Sequence, residues 1–160
     1  MQKVLTVVGT RPNFIKITQF HKAFAENNIE HILVHTGQHF DANMSEVFFN
    51  QLNIPKPNYQ FEPNTNSVIT QQADIMVNLE KILIDEMPDL VCAVGDVNST
   101  FSAAFTAYKL GIKVAHIESG LRSLDRTMPE EINRLLTDEI TDYFFVTEQS
   151  GIDNLKQEGK

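Results

Sequence analysis

An α/β fold, an open parallel sheet flanked by helices, is the class this sequence predicts, and three observations predict it. Apolar runs of strand length alternate with helix-length periodic segments along the whole chain. Four of the five strand-like runs leave through a glycine into a polar turn, in "VVGTRPN", "VHTGQHF", "AVGDVNS" and "HIESGLR". No repeat, low-complexity tract or internal linker interrupts the 160 residues, which fits one compact domain.

The elements follow in order. "VLTVV" (4–8) predicts the first strand, because β-branched residues fill it and Gly9 closes it. Apolar residues at 14, 17, 20, 23 and 24 recur at helical spacing and predict a helix over 14–26. "HILVH" (31–35) is the second strand, stopped by Thr36 and Gly37. Asp41 is placed to cap a helix running to Leu52, and Pro55, Pro57 and Pro63 then mark a long loop to Asn66. A helix over 67–86 ends before Pro88, which cannot continue it. "DLVCAV" (89–94), "KVAHIE" (113–118) and "DYFFV" (142–146) supply three more strands, with helices after 98, 129 and 147.

Composition narrows the function. The hydrophobic content of 42% is enough to bury a core, and a net charge of −8 argues against nucleic-acid or membrane-surface binding, whose footprint is basic. The one cysteine, Cys92, lies in an apolar run and reads as a small buried hydrophobe, which suits a reducing cytoplasm. The start, "MQKVLTVVGT", lacks a small-residue cleavage site, and no run approaches the roughly 18 apolar residues of a membrane span.

In open parallel sheets a ligand sits beyond the carboxyl ends of the strands, so the four glycine turns are expected to converge on one crevice. Neither G-x-G-x-x-G after a strand nor G-x-x-x-x-G-K-[ST] occurs, so the usual dinucleotide and P-loop sites are not supported. Arg11 in the first turn and Lys16 in the following helix are cations able to meet a phosphate, or a solvated pair near a helix start. Three acids stand at or near the same edge. Asp96, after Gly95, either caps the next helix, with Asn98 as a rival, or faces the crevice. Glu118 closes a strand where burial of a carboxylate is costly unless it is paired, with Arg122 for instance, or used. Thr127-x-x-Glu130 matches a capping box, with Pro129 suited to a first helical turn. His39 and His116 have no partner at zinc-site spacing, so no metal is expected, and no arrangement suits a covalent nucleophile.

Taken together, "VVGTRPNFIK", "HTGQHFDANMSEVFF", "VGDVNSTFSAAFTAYKLGIKVAHIESGLRS", "DRTMPEEINRLLTD" and "DYFFVTEQS" resemble, in the same order, the N-terminal half of the bacterial non-hydrolysing UDP-N-acetylglucosamine 2-epimerases. The resemblance covers essentially the whole chain. It implies that residues 1–160 form a Rossmann-like domain, the first half of a glycosyltransferase-B-type two-domain fold whose UDP-binding C-terminal domain is absent from this chain. It implies a UDP-N-acetylhexosamine substrate, no cofactor, a cytoplasmic enzyme of surface-polysaccharide precursor synthesis, and a homodimer in the full-length form. By motif match, Asp96, Glu118 and Glu130 occupy the family's catalytic acidic positions, and Arg11, Lys16 and Arg134 its substrate- and phosphate-binding positions. Gln38 and His39 match part of a second, allosteric nucleotide-sugar site, although Asp41 stands where that site often has Gln. Val97 replaces a usual Thr, and "IESG" a usual "VEAG", with the acids retained. The motif "RSLDRTMPEE" is also similar to relatives that act on other UDP-2-acetamido sugars, including a 2,3-diacetamido glucuronic acid. A nucleotide-sugar transferase or binding module of the same architecture is the alternative class, and three carboxylates at one edge distinguish the epimerase from it.

Overall fold

The computed structural model describes residues 2–38, 49, 51–64 and 66–160. Its elements run β1 (Lys3–Val8), α1 (Arg11–Lys16), α2 (Phe20–Glu26), β2 (Glu30–His35), β3 (Tyr59–Gln60), α3 (Val68–Glu86), β4 (Leu90–Val94), α4 (Asn98–Lys109), β5 (Lys113–Ile117), α5 (Pro129–Glu139), β6 (Tyr143–Phe145) and α6 (Gln149–Gln157). The six strands are all parallel, in the order β3-β2-β1-β4-β5-β6. This is the Rossmann order, in which the chain leaves β1 for one side of the sheet and returns at β4 on the other. The crevice at such a reversal opens between the carboxyl ends of β1 and β4.

Burial on both faces explains the apolar strands. On one face Leu5, Val7, Val34, Val91, Ala93 and Val114 pack against Ile75 and Leu79 of α3 and Ala103 and Ala107 of α4. On the other, Val8, Leu33 and Val94 pack against Phe14 and Ile17. The small residues of α4 let it lie close on the sheet. Cys92 is buried beside Val4 and Ala115, as its sequence context predicts.

Three expectations need correction. The helix over 14–26 is two helices: Ile17 N–H turns back to the Phe14 carbonyl at 3.2 Å, and Phe20 N–H to that of Ile17 at 2.9 Å. The β-branched run Ile15, Ile17 and Thr18 disfavours continuous helix, and the break lets Phe14 and Ile17 both reach the core. The loop over 55–66 contains a sixth strand, β3, whose two residues pair with Val34 and His35. Asp89, Glu118, Asp142 and Val146 flank their strands rather than join them. The helix expected after Asp41 lies outside the described residues. Ser67 does cap α3, its hydroxyl accepting from Thr70 N–H at 3.1 Å, and Met87 ends it in the left-handed region ahead of Pro88. Among the described residues no helix is long and apolar enough to cross a membrane.

Candidate active site

The carboxyl ends of β1, β4 and β5 bring most of the expected residues together. At the end of β1, the buried Asn13 side chain organises the turn: its carbonyl accepts from Gly9 N–H, Thr10 N–H and the Thr10 hydroxyl, each at 3.1 Å. Its amide donates to the Val94 carbonyl, also at 3.1 Å, which ties the β1 turn to the end of β4. Gly9 has no room for a side chain, since a Cβ would lie 2.1 Å from Ser99 Oγ.

Gly95 is the pivot of the site. Its φ of +77° carries the chain sharply off β4, a conformation that favours glycine. A methyl group there would stand 2.9 Å from Asn13 Nδ2, 3.5 Å from Lys16 Nζ and 3.9 Å from Glu118 Oε2. Lys16 and Glu118 thus meet over Gly95, where they form a hydrogen-bonded ion pair. Next along the chain, Asp96 is ion-paired with Arg134 from α5. Each of these two acids is half-buried and faces a cation.

Several alternatives are settled by this arrangement. Asp96 does not cap α4, and neither does Asn98: the N-cap is Val97, whose N–H donates to Thr100 Oγ1 at 3.1 Å. Glu118 is paired with Lys16 rather than Arg122, which lies between Asp138 and Glu158, both at 2.7 Å. Glu118 also holds φ at +75°, costing roughly 1–2 kcal/mol for a residue with a side chain, which turns its carboxylate back over the strand end. The capping box over Thr127 and Glu130 does not form. Met128 is the N-cap, and the Thr127 hydroxyl donates instead to Asp125 at 2.6 Å. Glu130 is exposed and lines a cleft of about 740 Å³ together with Arg11, Val97, Asn98 and Asn133. That volume suits a nucleotide-sized ligand.

Lys16, Asp96, Glu118 and Arg134 do not line that cleft but adjoin it, through Val97 and Asn98 beside Asp96 and through Asn133 beside Arg134. Asn133 Nδ2 donates to Asn98 Oδ1 at 3.2 Å across the gap between α5 and α4. Gln38 lines the cleft as well, its side-chain Oε1 accepting from Ser99 N–H at 2.8 Å and from the Ser99 hydroxyl at 2.7 Å at the start of α4. His39 lies outside the described residues.

Three further side chains belong to the site's support. Glu131 is buried, accepting from Ser123 N–H at 2.9 Å, Leu124 N–H at 3.2 Å and Arg134 at 2.8 Å, which fixes both the loop before α5 and the arginine that meets Asp96. Burial works against its charge, but the N–H donors of Ser123 and Leu124 and the nearby Arg134 outweigh it and hold the carboxyl below its ordinary range. Asp138, also buried, bonds His116 Nδ1 at 2.6 Å, Arg122 at 2.7 Å and Gly120 N–H at 3.1 Å. Burial again opposes ionisation, and the contacts to His116 and Arg122 overcome it, so its pKa is lowered. His116, which has no partner at zinc-site spacing in the sequence, is fully buried in this network. The spacing 131, 134, 138 puts these groups on one side of α5.

A family model described as UDP-N-acetylglucosamine 2-epimerase matches residues 21–160. The UDP-2,3-diacetamido-2,3-dideoxy-D-glucuronate 2-epimerase of Pseudomonas aeruginosa is 48% identical over 158 residues, covering 98% of this chain and 45% of that protein. The UDP-N-acetylglucosamine 2-epimerase of Methanocaldococcus jannaschii is 42% identical over 157 residues, covering 98% and 43%. A crystal structure of a UDP-GlcNAc 2-epimerase from that organism, in complex with UDP-GlcNAc and UDP, superposes with a TM-score of 0.94 at 42% identity, over 99% of this chain and 44% of that one. The chain thus spans less than half the length of the relatives it matches.

Proposed function

The chain belongs to the UDP-N-acetylglucosamine 2-epimerase family, and from that premise we propose that residues 1–160 act as the N-terminal, Rossmann-like half of a non-hydrolysing 2-epimerase working on a UDP-2-acetamido sugar. A second domain would hold the uridine and close the cleft. The reaction inverts C2 of the hexose. A base removes the C2 proton as the C1–O bond to UDP breaks, leaving a 2-acetamidoglucal and free UDP. An oxygen of the UDP β-phosphate then re-forms the C1 bond while a proton is delivered to C2 from the opposite face. Protons balance, and no redox partner is required.

Such chemistry needs carboxylates near C2 and cations where the pyrophosphate departs. One observation carries the assignment: at the β1/β4 reversal, acids and cations interleave, with Lys16 on Glu118 and Arg134 on Asp96 around Gly95. Arg11 and Glu130 add one of each to the adjoining cleft. In this reading Arg11, Lys16 and Arg134 take the pyrophosphate, and Asp96, Glu118 and Glu130 handle the C2 protons. A pyrophosphate arriving at Lys16 and Arg134 displaces their carboxylate partners and turns Glu118 and Asp96 toward the sugar. A homodimeric cytoplasmic enzyme is the expected context.

The substrate lies within the UDP-2-acetamido sugars. The 48% identity to the 2,3-diacetamido glucuronate enzyme supports that sugar as the second reading beside UDP-N-acetylglucosamine. Both are tested by NMR in deuterated water on the full-length protein, offered each UDP sugar in turn. Deuterium at C2 and the epimeric product are the expected result, and the sugar that exchanges is the substrate. Absence of exchange with every UDP-2-acetamido sugar would overturn the assignment. The 160-residue chain by itself is expected to exchange none, because half the cleft is missing.

A further inference from the structure

The backbone at the end of β4 is held on every side, and His116 is the side chain that completes the hold. The Val94 carbonyl accepts from Asn13 Nδ2 at 3.1 Å and Thr100 Oγ1 at 2.7 Å. Gly95 N–H closes the ladder to β5 through the Ile117 carbonyl at 3.0 Å. That leaves the Gly95 carbonyl, the last acceptor before Asp96, and it is met by His116 Nε2 at 2.7 Å. A carbonyl oxygen only accepts, so Nε2 carries the hydrogen. The ring's other nitrogen is fixed by Asp138 at 2.6 Å, and Asp138 is in turn fixed by Arg122 and Gly120 N–H.

The position of His116 in the chain matters as much as its bonds. It stands on β5 two residues before Glu118, and its ring reaches across to the peptide immediately before Asp96. One fully buried side chain therefore spans the two strand ends that carry two of the acids. A turn of the Gly95 peptide would swing Asp96 off Arg134.

We infer that His116, oriented by Asp138, is a positioning residue that sets the placement of Asp96 relative to Glu118 by holding the Gly95 carbonyl. The inference rests on the proposed role of Asp96 in C2 proton transfer. His116 does not meet the sugar; it acts through the Gly95–Asp96 peptide. Misplacement of a reacting group by about 1 Å is worth roughly 10²-fold in rate, whereas Lys16 and Glu118 keep their own ion pair.

The test is a double-mutant cycle in the full-length protein, read as C2 deuterium incorporation. His116→Asn is expected to lower kcat about 10²-fold while KM moves less than about threefold. Asp96→Asn is expected to lower kcat about 10²- to 10⁴-fold. The double variant should then fall within about threefold of Asp96→Asn alone, because His116 has nothing left to position. Multiplying losses would overturn the inference and assign His116 to stability alone, as would near-parent kcat in His116→Asn. Asp138→Asn keeps the imidazole but loosens its orientation, and must repeat the non-additivity. Near-parent turnover in Asp96→Asn overturns the proposed role of Asp96, and this inference with it. A readout on the unaltered protein covers variants that fail to fold: the His116 Nε2 hydrogen should be protected from exchange and scalar-coupled to the Gly95 carbonyl carbon. A rapidly exchanging, uncoupled ring hydrogen refutes the inference independently of activity.

Discussion

Lys16 and Glu118, 102 positions apart in the chain, are joined in an ion pair at the carboxyl edge of the sheet. The cation proposed to take pyrophosphate is thus occupied by a carboxylate proposed to take a proton. A part-exposed pair of this kind is worth up to about 1 kcal/mol, which a competing phosphate must offset. Glu118→Gln in the full-length protein should therefore abolish turnover yet bind UDP about 2- to 5-fold more tightly by calorimetry, since Lys16 is released. Weaker binding than in the parent would show that Glu118 helps the nucleotide rather than competing with it.

Gly120 offers a test of how the loop after β5 is held. Its φ is +81°, its N–H donates to Asp138, and a Cβ would lie 2.5 Å from the Gly151 carbonyl oxygen of α6. Backbone cannot step aside as a side chain can. Gly120→Ala should cost about 2–5 kcal/mol, the sum of left-handed strain and overpacking. Gly111 has a similar φ of +72° but open space around it, so Gly111→Ala should cost only about 1–2 kcal/mol. Denaturant midpoints for the two variants should differ accordingly, and equal losses would remove the close approach to Gly151 as a cause.

Cys92 supplies a prediction about reactivity. Burial pushes its thiol up to about 12, only partly offset by a hydrogen bond with Thr6. The thiolate is the reactive form, so the folded protein at pH 8 should resist iodoacetamide and be alkylated only as denaturant opens the sheet. Rapid alkylation under native conditions would place the thiol elsewhere than beside Val4 and Ala115.

What the sequence made legible was the chemistry at strand ends, because glycine and a charged residue after a β-branched run have few other uses. Gly95 with Asp96, and Glu118 after β5, fall into this group. Pairing partners were harder to read. Arg122 is nearer than Lys16 to Glu118 in sequence, yet the left-handed turn at Glu118 directs it across the sheet to α1. The polar support from α5 was hidden by an inverted pattern: Ile132 and Leu136 are 37% and 44% exposed, while Glu131 and Asp138 are buried. Apolar periodicity alone would turn that helix the other way round. The strand β3 escaped notice because two residues carry no period, and its place comes from pairing with β2.

Acid stability follows from those two inward carboxylates. Glu131 and Asp138 both have folded pKa values below their ordinary ones, the donors of Ser123 and Leu124 outweighing burial for the first, and His116 and Arg122 outweighing it for the second. With the folded value depressed, the unfolded chain binds protons first as pH falls. Their stabilisation is therefore complete above the unfolded carboxylate range, about pH 4–4.5, and is lost as pH drops through the lower folded values. The urea midpoint should stay nearly level from about pH 7 to 5 and fall steeply below about pH 4. Glu131→Gln and Asp138→Asn should each lower the neutral-pH midpoint, by about 1–3 kcal/mol in stability, because a neutral amide cannot satisfy the same set of donors. They should also flatten the acid limb, since a titrating group has gone. If both variants lose stability at neutral pH while keeping the parent's full acid slope, other carboxylates drive the acid transition.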